Sequence, residues 1–213
     1  MNKKQAFTLA ETLIVMGVIG VVAALTLPNL NSSTGDKEKV TKLKKIYSNL
    51  NDAYGRATAV YGPIDEWGAD SNKIADRFAD FLKISKSIDN NTFKAFVLSD
   101  GTYMEIEVIN DTTGLIEFFI DIDGKNKGQN NFGYDSFVFY LSKDTNFNIE
   151  PYRAANVTAF INEWKNRNGI NYDPVVNCTG WVIDYGNMDY LKLDSSGKCP
   201  NGTQLSETVT SCK

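Results

Sequence analysis

Residues 3–28 read KKQAFTLAETLIVMGVIGVVAALTLP. Two lysines precede a long apolar run that ends at Pro28 and holds one acid, Glu11, near its start. From Phe7 to Leu27 the run is 21 residues long. As a helix it spans about 31 Å, close to the thickness of a bilayer's hydrocarbon core. A carboxylate held in hydrocarbon costs on the order of 3 kcal/mol, so an intramembrane acid points to function. A secretory signal peptide does not account for the segment. Its apolar core would be about 7–15 residues long and would end at a small-residue cleavage site. A plain single-pass anchor supplies no reason to keep Glu11.

The rest of the chain bounds what the segment can serve. Of 213 residues, those beyond the apolar run suffice for one further domain of ordinary size. The formal net charge of −4 disfavours a general nucleic-acid binder, which needs an excess of Lys and Arg to neutralise phosphates. Histidine is absent, which removes the commonest general base and the commonest transition-metal ligand. No nucleophile–base pair stands out, so an enzyme is not expected.

The three cysteines, Cys178, Cys199 and Cys212, all fall near the C-terminus. In an exported domain this implies one disulfide and one leftover thiol. Cys199–Cys212 closes the shortest loop, while Cys178–Cys199 ties an earlier part of the tail to the C-terminus. Orientation by charge is ambiguous, because Lys3 and Lys4 precede the run and Lys37, Lys39, Lys42, Lys44 and Lys45 follow it. The short leader and the cysteines favour an external C-terminal domain. The lysine run itself reads as a solvated helix face, with lipid headgroups, DNA or a neighbour's acids as other partners, of which DNA finds no support in the net acidity.

Beyond Pro28 the stretch 29–36 is rich in Asn, Ser and Gly, and the helix is expected to loosen there. It resumes with Val40, Leu43, Tyr47, Leu50, Tyr54, Ala57 and Tyr61 on one stripe, and Gly62-Pro63 stops it. A second helix is expected over 72–83, capped by Asp70 or Ser71. Strands follow over 93–98 and 102–109, joined by Ser99-Asp100-Gly101, then over 115–122 and 136–141. A helix over 153–166 precedes an irregular tail with short strands. The expected class is α+β: a long N-terminal helix laid on an antiparallel meander of about four strands.

The N-terminal segment resembles that of type IV prepilins and type II secretion pseudopilins. The matching residues are the short basic leader, Phe7, Thr8, Leu9, Glu11 (fifth from Phe7) and Pro28. Ala6 departs from the glycine usual before the cut, and as a small substitute it is expected to retain processing at a slower rate. The resemblance implies a pilin-like fold and a leader over 1–6. A transmembrane and assembly helix follows over 7–28, the outer half of the helix over 29–62, and a periplasmic or extracellular domain over 63–213. It implies cleavage between Ala6 and Phe7 by a prepilin peptidase, N-methylation of Phe7, and pairing of Glu11 with the freed amine of a neighbouring subunit. Partners would be other pilin or pseudopilin subunits, the inner-membrane assembly platform, and membrane lipid before assembly. No nucleic acid is expected. The alternative is a membrane-tethered module that binds Ca²⁺ or an external ligand outside any filament.

Asp121-Ile122-Asp123-Gly124-Lys125, continuing through Gly128, Asn130, Gly133, Asp135 and Phe137, resembles a loop and strand of pseudopilin-like proteins. Residues 178–191 resemble a tail motif of some bacterial members, and because Cys178 belongs to that motif the resemblance favours Cys178–Cys199 as the disulfide. Asp121 and Asp123 project to one side of a strand end, and Asn126 and Asp135 are placed to add oxygens. Such hard donors suit Ca²⁺, and major pseudopilins carry a calcium site in their C-terminal region. The same residues also suit an Asx-rich turn whose side chains bond the backbone.

Overall fold

The computed structural model describes residues 9–89, 93–110, 112–166 and 177–212, with side chains for all of these except 23–34. The chain divides into two compact units, Met1–Glu38 and Lys39–Lys213. One helix, α1 (Leu9–Tyr61), contributes to both. It runs without interruption through 29–36, so the expected loosening is corrected. Proline in a helix removes one backbone hydrogen bond, which a helix of this length sustains.

In the first unit, Leu9, Leu13, Ile14, Val15, Met16, Val18, Ile19, Val21 and Val22 are all more than half exposed. Among the described residues no helix is long and apolar enough to cross a membrane. The expected span over 7–28 lies partly outside them.

The second unit is α+β. Here α1 buries Val40, Leu43, Ile46, Leu50, Ala53 and Ala57, a 3–4 spacing that keeps one face inward. Tyr47 and Tyr54 flank this row and are half-buried, and Tyr61 is exposed. The helix ends where the Gly62 N–H donates to the Thr58 carbonyl at 3.0 Å, with Gly62 at φ +81°. Helix α2 (Ser71–Ala79) starts at Asp70, whose carboxylate accepts from the Asn72 and Lys73 N–H groups. It is shorter than expected, because Phe81 and Leu82 close tighter turns onto Phe78 and Ala79 and lead into a strand.

Six strands form one antiparallel meander in chain order: β1 (Ile84–Asp89), β2 (Lys94–Leu98), β3 (Tyr103–Asn110), β4 (Leu115–Asp121), β5 (Ser136–Leu141) and β6 (Glu150–Pro151). The register stacks Met104 on Ile120, Ile106 on Phe118, Phe118 on Phe139 and Ile120 on Phe137. These residues, with Phe96, Leu98, Ile116 and Leu141, share one buried core with the α1 row. Tyr47 stacks on Phe139 with ring centroids 5.0 Å apart and donates its hydroxyl to the Ile149 carbonyl at 3.0 Å. Each large side chain fully buried here stabilises the fold by about 1.5–3 kcal/mol.

The two strands not expected, β1 and β6, are the edges. β1 is polar and largely exposed, and β6 is two residues long with a proline. Both are common ways to blunt a sheet edge. Helix α3 is shorter than expected (Val157–Lys165), its first turn closed by Asn156 accepting from the Ala159 N–H at 2.8 Å.

The tail differs from its expectation. Residues Cys178–Tyr185 form a helix, α4, and Asp189–Lys192 a 3₁₀ turn. Thr179, Val182 and Ile183 are weak helix formers that read as strand, and five successive residues from Cys178 are buried, which erases helical periodicity. Tertiary contacts fix the helix. Thr179 Oγ1 accepts from the Val138 N–H at 2.9 Å, and the Gly180 N–H donates to the Tyr152 carbonyl at 2.8 Å.

Candidate functional site

The loop from Asp121 to Asp135 joins β4 to β5. It turns on Gly124 (φ +100°), Asn126 (φ +64°), Gly128 (φ +61°) and Asn130 (φ +49°), a left-handed region that glycine and asparagine tolerate. Asp135 organises it from a fully buried position. Its carboxylate accepts from the Gln129, Asn130 and Asn131 N–H groups at 2.5, 3.0 and 2.8 Å. Asp121 Oδ1 accepts from the Gly124 N–H at 3.1 Å. A side chain at Gly128 would run into both Asp123 and Asp135, so the chain passes over these two carboxylates only as glycine.

Of the four expected ligand residues, Asp123 and Asp135 therefore face each other across Gly128, and Asp121 is hydrogen-bonded to Asp123. Asn126 does not join them; its N–H donates to Asn130 Oδ1 at 3.0 Å on the exposed side. The Asp121 carboxyl is pushed up to about 7, first by burial, then by its hydrogen bond with Asp123 and by the charges of Asp123 and Asp135. Asp123 Oδ1 is buried without a hydrogen-bond partner. Among the described residues no three His, Cys, Asp or Glu side chains are grouped so as to hold a metal ion. Both Asp135 carboxylate oxygens accept from backbone N–H groups. Asp121 and Asp123 remain as a hydrogen-bonded carboxyl pair with one buried unpartnered oxygen, Asp123 Oδ1.

Two lysines missed by the sequence reading hold this loop from α1. Lys39 Nζ donates to the Tyr134 carbonyl at 2.9 Å. Lys42 Nζ donates to the Ile122 carbonyl at 2.5 Å and the Asp100 carbonyl at 3.2 Å. A hydrogen bond from a charged donor contributes about 1.5–3 kcal/mol. Burial opposes ionisation of Asp100, yet the Thr102 hydrogen bonds and the charges of Lys42 and Lys45 hold its carboxyl below the usual range. The expected solvated face is thus only part of the lysine run. The available signal was the spacing of Lys39 and Lys42 beside the buried Val40 and Leu43.

Among the residues expected for processing and assembly, Ala6 and Phe7 lie outside the described residues. Glu11 lies in the first turn of α1 and is exposed. Pro28 falls within α1, its side chain outside those described. Among the cysteines, Cys199 and Cys212 form the disulfide, with Cα atoms 5.4 Å apart, and Cys178 is a buried thiol. The favoured Cys178–Cys199 pairing is corrected. Folding α4 into the core places Cys178 beside Gly133 and Trp164, where a Cβ at Gly133 would lie 2.7 Å from its Sγ.

Residues 1–27 match the family described as prokaryotic N-terminal methylation motif. The match supports the type IV pilin-like and pseudopilin family, and indicates processing by a prepilin peptidase and membrane-anchored assembly with other pilin subunits. No curated protein matches the chain. No solved structure matches it.

Proposed function

We propose that this chain is a structural subunit, a pseudopilin or minor pilin, of a type II secretion or type IV pilus-like filament. The observation that carries the reading is the methylation motif over residues 1–27, with Glu11 in the first turn of a helix that continues unbroken to Tyr61. In this reading prepilin peptidase cuts between Ala6 and Phe7 and methylates the new amine. The helix over 7–28 waits in the inner membrane with the C-terminal domain outside the cytoplasm. Assembly then sets Glu11 against the amine of a neighbouring Phe7. A charge in a low-dielectric setting is tolerated when matched in this way, and removing one partner costs several kcal/mol. The apolar side chains from Leu9 to Val22, exposed in the isolated chain, supply packing surface in the bundle. The protein contributes this surface and no catalysis.

The test is intact mass and N-terminal sequencing of the protein from its native membrane. A chain beginning at N-methylated Phe7 is the expected result, and Glu11→Ala should still be processed but fail to enter filaments. A chain beginning at Met1, or cut near 26–31, overturns the reading.

A second reading, a module that binds a hard cation such as Ca²⁺, is favoured by one observation, the buried unpartnered Asp123 Oδ1 beside Asp121. Asp121 and Asp123 would hold the ion, and Asp135 would keep the loop closed around it. The ion would supply the positive charge that otherwise comes from a proton on Asp121. Titration calorimetry with Ca²⁺ on the wild type and on Asp123→Asn decides it. Absence of binding, or equal binding by both, removes this reading.

A further inference from the structure

The carbonyls that Lys39 and Lys42 grip are not scattered over the loop. The Ile122 carbonyl belongs to the peptide unit that leads into Asp123, and the Tyr134 carbonyl to the one that leads into Asp135. The two lysines lie three residues apart on α1, close enough on the helix surface to act side by side. They therefore hold the two ends of one loop from one helical turn. The Ile122 N–H closes the same loop by donating to the Asp135 carbonyl at 2.9 Å. Lys42 brings in a third piece, the Asp100 carbonyl of the β2–β3 turn. That turn packs tightly enough on the loop that a Cβ at Gly124 would sit 2.9 Å from the Gly101 carbonyl oxygen. Lys39 is also the first residue of the Lys39–Lys213 unit, so the grip falls where α1 enters that unit.

We propose that Lys39 and Lys42 make the 121–135 loop a latch on α1, so that the loop and the entry turns of α1 open and close as one unit. Thermodynamic reciprocity then applies: whatever rearranges Asp123 or Asp135 changes the hold on α1, and whatever loosens α1 at Lys39 loosens the loop. The latch is a property of contacts within one unit and does not depend on the cation reading.

Hydrogen exchange by mass spectrometry on the full chain in detergent, with EDTA present, tests it. Lys42→Met should speed exchange at the 129–131 amides, which point at Asp135, and at α1 amides 40–46 together. Loss of a charged hydrogen bond should appear as about tenfold or more in each. Lys42→Arg should retain most of the protection, and Lys44→Met, exposed on the same helix, should leave both segments unchanged. The reverse perturbation, Asp135→Asn, should loosen α1 amides 40–46 although the change lies in the loop. Amides of β3 to β5 report global unfolding, and a Lys42→Met chain that fails this check is replaced by Lys39→Met. Loosening of the loop without α1, of α1 without the loop, or of both in Lys44→Met overturns the latch.

Discussion

Replacing Gly133 by alanine should be among the most damaging single-methyl changes in this protein. Gly133 sits at φ +78°, where a non-glycine residue costs about 1–2 kcal/mol. Its new Cβ would lie 2.7 Å from Cys178 Sγ, 3.1 Å from Cys178 Cβ and 3.1 Å from a ring carbon of Trp164. None of these is the free end of a flexible side chain, because Cys178 and Trp164 are both buried. Overpacking of this kind costs about 1–3 kcal/mol. The backbone cannot retreat freely, since the Gly133 N–H donates to the Ser136 carbonyl at 2.9 Å and its carbonyl accepts from the Tyr190 hydroxyl at 2.7 Å. The total is about 2–5 kcal/mol, which in a domain of this size lowers Tm by roughly 4–20 °C. Thermal unfolding of the wild type, Gly133→Ala, Cys178→Ala and the double variant separates the two causes. Cys178→Ala alone should destabilise by leaving a cavity. In the double variant the cavity accepts the new methyl, so the two losses should fall short of their sum by about 0.5–3 kcal/mol. Additive losses, or a Gly133→Ala shift under about 2 °C, would refute the steric argument.

Further outcomes follow from other parts of the structure. Removing the Cys199–Cys212 bridge, which spans 13 residues, as the double alanine variant should cost about 3 kcal/mol from the regained freedom of the unfolded chain; an unchanged denaturation midpoint would contradict this. Asp70→Ala removes the acceptor for two N–H groups at the start of α2 and should cost about 1 kcal/mol, read as a small drop in Tm with the fold intact. The Asp121 carboxyl is raised from 3.8 to about 7 in the folded chain, so between these values the folded state holds a proton that the unfolded state has released. Its contribution is complete below about pH 4 and is lost as pH rises through 7. Asp121→Asn, melted in EDTA, should therefore gain on the wild type at pH 8 relative to pH 4, and a gain on acidification would reverse the sign of the argument.

Several elements were legible because one local signal dominated each. The α1 stripe follows from 3–4 spacing, the β2–β3 hairpin from Asp100-Gly101, β5 from an apolar run bounded by turns, and the α2 start from the Asp70 cap. Ile46 and Ala53 were missed from the stripe because Tyr47 and Tyr54, one position further along, fit the same 3–4 spacing. β1 and β6 were missed because an edge strand with polar faces has no alternation to read. The tail was misread because α4 is helical by contact with β5 and Tyr152 and not by propensity.

Gly62-Pro63, the Asx- and Gly-rich loop and the N-terminal motif impose their conformations or their processing signal locally, so the sequence by itself determined the end of α1, the presence of the 121–135 turn and the pilin-like reading of residues 1–27. It also determined that one disulfide at most could form among three cysteines. Which two cysteines pair and which lysines leave solvent were decided only by the tertiary structure. Each depends on groups distant in the chain and adjacent only after the domain folds: Lys39 with Tyr134, Lys42 with Ile122, Cys178 with Gly133. Burial then sets their energies, and burial is a property of the assembled core that no local pattern of residues encodes.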